Sequence, residues 1–231
     1  MPHLASPAAT LLSELLPGRV RGAERFDDAL SAPLHAVEER YVARAIPRRR
    51  QEFATARLCA RRALEELGAG DCAVPSGPDG EPVWPSGVVG SITHCEGYRA
   101  AAVGWADGAP ALGIDAEPNA TLPTVVLRKV ADASELRALE ALSDADGVCW
   151  DRLLWSAKES LLKACWGAGH PVLLAELGVA IDAGGTFSPL LPRSTGGAVA
   201  RVLGGLRGRW LQADGLLVTT AIADERPDLA A

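Results

Sequence analysis

Residues Trp155 to Lys163 read W-S-A-K-E-S-L-L-K, and this stretch holds two of the three lysines in a chain of 231 residues. Lys158 and Lys163 flank Glu159. A lysine carries a compact charge with rotatable donors, suited to a phosphate oxygen, and a carboxylate set between two of them can hold a hard cation. The same residues allow a plainer reading. Glu159 and Lys163 stand at i, i+4 in the favourable order, and a solvated helix pair of that kind is worth only about 0.2–0.5 kcal/mol.

G-I-D-A-E-P, Gly113 to Pro118, supplies two more carboxylates. If this is a strand, Asp115 and Glu117 share one face about 6.6 Å apart along the backbone, so both can reach one cation. Ile114 and Ala116 then face the core, and Pro118 ends the strand. Hard oxygens with room for water and phosphate suit Mg²⁺, with Mn²⁺ also admissible. An exposed edge carrying two solvated acids is the alternative. Gly113 and Ala116 keep the surroundings small, as a bulky ligand requires. On the helix, Trp150, Leu153, Leu154, Ala157, Leu161, Ala164 and Cys165 form one apolar stripe, while Trp155 and Leu162 lie on the side of Glu159. A helix apolar on both faces is covered on both, which puts Glu159 and Lys163 in a crevice. Lys158, at the margin of the stripe, is expected to reach that crevice from the side.

Cations cluster elsewhere. Arg48, Arg49, Arg50, Arg57, Arg61 and Arg62 fall within fifteen residues. A helix from about 48 to 67 has Phe53, Ala56, Ala60, Leu64 and Leu67 as its apolar stripe, leaving Arg49, Arg50, Arg57 and Arg61 partly off it. That arrangement is either a solvated basic face or an anion-binding one. His94 closes V-V-G-S-I-T-H and suits donation to a phosphate or to a backbone carbonyl. No Cys/His set has metal-ligand spacing, which argues against zinc. Cys95 points away from His94 on an extended segment, so a Cys–His nucleophile is not indicated.

These residues need elements to carry them. Pro/Gly-rich stretches at Val74 to Gly87, Pro118 to Pro123 and Gly184 to Gly197 punctuate the chain. After the arginine helix come strand-like runs at Val88 to Thr93, Ala100 to Trp105 and Ala111 to Glu117, the last two expected to join as a hairpin across Asp107-Gly108. The second half repeats the order. A helix from about 150 to 166 precedes strand expectations at Val179 to Asp182, Ala198 to Leu203, Trp210 to Ala213 and Leu216 to Ile222, with Asp214-Gly215 as a turn. Asp132 and Glu135 frame a capping box for a short helix to about Leu142. Two similar α+β lobes follow, 1–111 and 112–231, on element order alone.

Composition sets the outer bounds. The chain is 48% apolar, ample for a core. No uncharged apolar run reaches about 18 residues and no basic region precedes one at the start, so a soluble cytoplasmic protein without membrane contact is expected. Five cysteines without C-x-x-C spacing read as reduced thiols. A net charge of −6 disfavours nucleic acid, so any anion must be held by local charge.

Taken together, R-R-R-Q-E-F-A-T-A-R-L-C-A-R, P-V-W-P-S-G-V-V-G-S-I-T-H-C, G-I-D-A-E-P and W-S-A-K-E-S-L-L-K resemble the 4′-phosphopantetheinyl transferases. The likeness is to the two-lobed type serving siderophore, polyketide, nonribosomal peptide and other secondary-metabolite synthases, and it spans positions 48 to 163. It implies movement of the phosphopantetheine arm of coenzyme A onto a serine of an apo acyl or peptidyl carrier protein, with release of 3′,5′-ADP. It implies a Mg²⁺ shared by Asp115, Glu117 and Glu159, with the coenzyme A site in the cleft between the lobes. Lys158 and Lys163 would neighbour the phosphates, His94 the pyrophosphate, and Arg49 and Arg57 the adenosine end with its 3′-phosphate. Ser76 departs from the pattern, because relatives often carry a basic residue there. Glu159, directly or through water, would be the base for the attacking serine. Arg48, Arg50 or Arg128 would steer an acidic carrier, and two internal halves would let a monomer build the whole site. A Mg²⁺-dependent phosphohydrolase, or a non-catalytic module binding a carrier or coenzyme A, is the alternative use of the same groups.

Overall fold

The computed structural model describes residues 11–29, 31–142, 147–190 and 197–224. It is an α+β architecture in two lobes, each a long helix laid on an antiparallel sheet. In the first lobe, α1 (Leu11–Leu15) precedes β1 (Val20–Arg25), α2 (Ala36–Val42), α3 (Pro47–Leu67), β2 (Val88–Cys95) and β3 (Tyr98–Trp105), and the sheet runs β1-β3-β2. Pro47 starts α3, where a missing N–H costs nothing, and Gly68, at φ 84°, ends it by returning its N–H to the last turn. The buried side of α3, with Cys59, Ala60, Ala63 and Leu64, packs on Val88, Ala101 and Val103 of the sheet.

The second lobe contains β4 (Leu112–Pro118), α4 (Thr124–Val130), α5 (Ala133–Glu140), α6 (Trp150–Gly167), β5 (Gly178–Asp182), β6 (Thr186–Leu190), α7 (Gly197–Gly205), β7 (Leu206–Ala213) and β8 (Leu216–Ala223). Its sheet runs β4-β8-β7-β6-β5. The two lobes repeat one plan. A first strand leads to a long helix and then a hairpin, and the hairpin's last strand sits in the middle, as β1-β3-β2 in one lobe and β4-β8-β7 in the other. The capping box of α5 is present, with Asp132 accepting from the Ser134 and Glu135 N–H groups. The β7–β8 turn at Asp214-Gly215 has φ of 52° and 75°, the left-handed pair that a two-residue hairpin demands.

Two expectations need correction. Ala100 to Trp105 does not form a hairpin with Ala111 to Glu117: β3 pairs with β2 across a Glu96-Gly97 turn, and its other edge is taken by β1, a strand with no clear alternation in sequence. The turn after Trp105 instead delivers the chain to the second sheet, where β4 pairs with β8. Ala198 to Leu203 is helical, because Val199, Val202 and Leu203 fall at helical spacing and all meet the second lobe's core.

The lobes join where β2 meets β4. The outward N–H groups of Ile114 and Ala116 on that edge strand donate to Ser91 Oγ and Thr93 Oγ1, each at 3.0 Å, so side-chain hydroxyls of one lobe complete the backbone bonding of the other.

Candidate active site

A cleft of about 1300 Å³ opens between α3, the 76–84 loop and β2 of the first lobe and the end of α6 from the second, and Arg49, Arg57, His94 and Lys163 all line it. Part of its lining depends on a glycine. A Cβ at Gly90 would lie 2.7 Å from the Trp84 ring, so the bare backbone of β2 lets that indole approach closely where both line the cleft.

Arg57 is buried and held on three sides. Nε donates to the Val74 carbonyl at 2.6 Å, Nη2 donates to Ser76 Oγ at 2.9 Å, and the guanidinium stacks 4.1 Å from the Phe53 ring centre. Burial pulls its pKa down to about 10, against the opposing pull of Glu38, which leaves it charged at neutral pH. Ser76, the departure from the family pattern, is therefore a support for Arg57. Arg49 Nη1 lies 3.2 Å from His94 Nε2, with Glu52 3.7 Å from the same guanidinium. Desolvation first, then Arg49 and Arg99, hold His94 below the usual imidazole range, so it is neutral at physiological pH.

Asp115 and Glu117 share one face of β4, as period-two geometry requires, and that face looks at α6. Asp115 Oδ1 accepts from Lys163 Nζ at 2.7 Å and from Thr93 Oγ1 at 3.1 Å, while Oδ2 accepts from Ser156 Oγ at 2.8 Å. Glu117 accepts from Arg152 at 3.1 Å and from the Trp155 indole at 3.2 Å. α6 approaches this closely because residue 113 is glycine: a Cβ there would stand 1.9 Å from the Ser160 carbonyl oxygen. Glu159 lies half-buried on the same helix. Its pKa is raised by burial, with Asp115 and Glu117 adding to the rise and Lys163 opposing it. Glu117 is raised likewise, by burial first and then by Asp115.

The helix salt-bridge reading of Lys163 does not hold. Its ammonium crosses to Asp115 and the Ile114 carbonyl and makes no ion pair with Glu159.

Lys158 is a second correction. It is fully buried, donating to Glu135 at 2.7 Å and to the Val130 carbonyl, and it is not part of the cleft lining. At the margin of the stripe its stem follows the apolar face inward, and α5 supplies the buried carboxylate that pairs it. Arg48 pairs with Glu52, and Arg50 with Glu39 at 2.5 Å, so both are partly neutralised. Arg128 is exposed on α4 beside Lys129.

Among the described residues no three His, Cys, Asp or Glu side chains form a ready-made metal cage. Asp115 and Glu117 have cationic partners, and the charges of both push up the pKa of half-buried Glu159. Hard carboxylate oxygens that repel one another in this way are the donor chemistry a divalent cation would relieve, with water and phosphate completing its shell.

Two family models match the chain: "4'-phosphopantetheinyl transferase N-terminal domain" over residues 37–104 and "4'-phosphopantetheinyl transferase superfamily" over residues 111–201. The 4′-phosphopantetheinyl transferase Svp of Streptomyces mobaraensis is 46% identical, across 94% of this chain and 90% of its own length. The chain belongs to the 4′-phosphopantetheinyl transferase family. The transferase Npt of Nocardia iowensis is 40% identical, over 90% of this chain and 98% of its own, and PptT of Mycobacterium tuberculosis is 37% identical, over 92% and 98%. In this transferase, sequence reasoning missed Thr93, Ser156, Arg152 and Trp155, the groups that hold the two β4 acids. Ser156 and Trp155 lie within the W-S-A-K-E stretch, and their positions one helical turn before Glu159 were the available signal.

Proposed function

We propose that this enzyme transfers the 4′-phosphopantetheine arm of coenzyme A to a serine of an apo acyl or peptidyl carrier protein, with Mg²⁺, releasing 3′,5′-ADP. The observation that carries the reading is one cleft lined by Arg49, Arg57, His94 and Lys163 from both lobes, with Lys163 also bonded to the acid Asp115. The lobes taken as 1–111 and 112–231 then act as two half-sites, the first for the adenosine end and the second for the reacting phosphates.

Arg57, fixed by Val74 and Ser76, and Arg49, beside His94, bind the adenosine-end phosphate. His94 lies toward the pyrophosphate as a neutral donor. In the reaction the carrier serine Oγ forms a bond to the β-phosphorus, and the bond from that phosphorus to the bridging oxygen breaks, leaving 3′,5′-ADP. Glu159 accepts the serine proton, directly or through water. Lys163 lies at the cleft end of α6, where negative charge gathers on the departing phosphate. Asp115, Glu117 and Glu159 would hold the Mg²⁺, which when bound lowers the charge on the pyrophosphate oxygens and raises the electrophilicity of phosphorus. Lys158 serves from inside the lobe, through Glu135. The enzyme works in the cytoplasm as a monomer, and its carriers belong to secondary-metabolite or siderophore assembly.

Chromatography of a reaction with coenzyme A, Mg²⁺ and an apo carrier tests this. One 3′,5′-ADP is expected per carrier modified, and none without carrier or with EDTA. Release without carrier would instead identify a phosphohydrolase.

A further inference from the structure

Glu38 on α2 is fully buried, far from any role in the chemistry above, and yet both of its oxygens are used. Oε1 accepts from the Val74 N–H at 2.8 Å; Oε2 accepts from the His35 N–H at 2.9 Å and from Arg61 at 3.1 Å. Arg61 in turn donates to the Pro33 carbonyl, and its guanidinium lies 3.9 Å from Asp71. A fully buried carboxylate is costly unless it is paired and hydrogen-bonded, and this one meets both conditions.

What it fixes is Val74. That residue has no exposure, its N–H is held by Glu38 and its carbonyl accepts from Arg57 Nε. Two residues on, Ser76 Oγ takes a second donor of the same guanidinium. The segment from 74 to 76 is thus a cradle bonded to α2 on one side and to Arg57 on the other. Arg57 Nη1 makes no hydrogen bond among the described residues, and the side chain lines the cleft, so one arm of the fork is left for a ligand. Glu38 also acts through space, since its negative charge favours the charged form of the buried guanidinium.

We infer that Glu38 is a positioning residue for coenzyme A: through Val74 it sets the orientation of the Arg57 guanidinium that faces the cleft. This rests on the proposed assignment of Arg57 to the adenosine-end phosphate. α2, whose Tyr41 and Val42 line the cleft, thereby also acts on the binding machinery from its buried side.

The test measures calorimetric affinity of the full chain for coenzyme A and for 3′-dephospho-coenzyme A. Glu38→Gln keeps the shape but offers one acceptor oxygen where two are needed, so either Val74 or His35 loses its partner. Coenzyme A should bind about tenfold more weakly, as expected for loss of one charged hydrogen bond's alignment, while the dephospho ligand changes less than about twofold. Glu38→Gln added to Arg57→Ala should weaken binding no further than Arg57→Ala alone. If the glutamine variant does not fold, Glu38→Leu with Arg61→Met removes the ion pair as a unit and carries the same expectations. Unchanged coenzyme A affinity in a folded variant, or an equal loss for both ligands, overturns the inference. Arg57→Ala with undiminished preference for coenzyme A over the dephospho ligand would instead overturn the assignment of Arg57 itself.

Discussion

Asp115 accepts three hydrogen bonds from two elements, from Thr93 on β2 and from Ser156 and Lys163 on α6, so its carboxylate is oriented before any ligand arrives. Replacing Lys163 by Met should lower turnover at least tenfold, through lost charge stabilisation at the departing phosphate. An undiminished kcat would confine the lysine to holding Asp115. Lys158 differs although it is only five residues away. Lys158→Met leaves Glu135 charged in the core with only the Asp132 and Val179 N–H groups as partners, which costs about 3–5 kcal/mol, whereas Lys158→Met with Glu135→Leu should recover most of the lost melting temperature. A double variant that melts normally but lacks activity would give Lys158 a direct part in the chemistry. The acids carry a pH signature. Glu117 and Glu159 have pKa values above the ordinary carboxylate value in the folded protein, so each binds its proton more tightly when folded. The stability they lend is fully present below the unfolded pKa and is lost as pH rises through the raised one. Half-buried Glu52 and exposed Asp132 are shifted down and act in the opposite direction, so the comparison must be made against a variant. Metal-free Glu117→Gln/Glu159→Gln should be more stable than wild type near neutral pH, and each kcal/mol gained shifts Tm by about 2–4 °C. A lower Tm in that variant would mean the acids are not in conflict.

At the scale of elements, the site hangs on how closely α6 lies against β4. Gly113→Ala places a Cβ on the Ser160 carbonyl, a backbone atom that can yield only if the whole helix moves. Destabilisation of about 1–3 kcal/mol is expected, with a fall in activity larger than Tm alone explains, because Lys163, Ser156 and Glu159 move together. Activity retained in proportion to the folded fraction would show that the site tolerates the shift. These two elements were also the legible ones. The face of β4 could be read from G-I-D-A-E-P because alternation sends Ile114 and Ala116 to the core, and α6 could be read because its stripe is continuous. β1 escaped notice because V-R-G-A-E-R is only partly buried beyond Val20 and has no clean alternation. Its absence from the reading led to the wrong partner for β3. α7 was misread because valine spacing in a short segment fits a strand until the core shows which face is covered. The partners of the acids were out of reach for another reason: Thr93 and Arg152 meet Asp115 and Glu117 only through tertiary contact.

For the molecule as a whole, the division of labour follows the lobes. The first lobe lines the cleft with Arg49, Arg57 and His94, and the second lines it with Lys163, whose ammonium reaches back to Asp115 on β4. With a net charge of −6, the enzyme as a whole would repel an acidic carrier, and the exposed Arg128 and Lys129 on α4 are local cations that would offset this in docking. The Michaelis constant for the carrier should then rise with salt more steeply than that for coenzyme A, since Arg57 and Lys163 are less exposed than the α4 cations. Parallel slopes would contradict steering from α4. Intact mass of the carrier reads transfer itself. After incubation with coenzyme A and Mg²⁺, a gain of one phosphopantetheine on the carrier serine is expected with wild-type enzyme, and none with Glu159→Ala; an unmodified carrier with the wild type would rule out transfer, and full modification by the variant would rule out the role of Glu159.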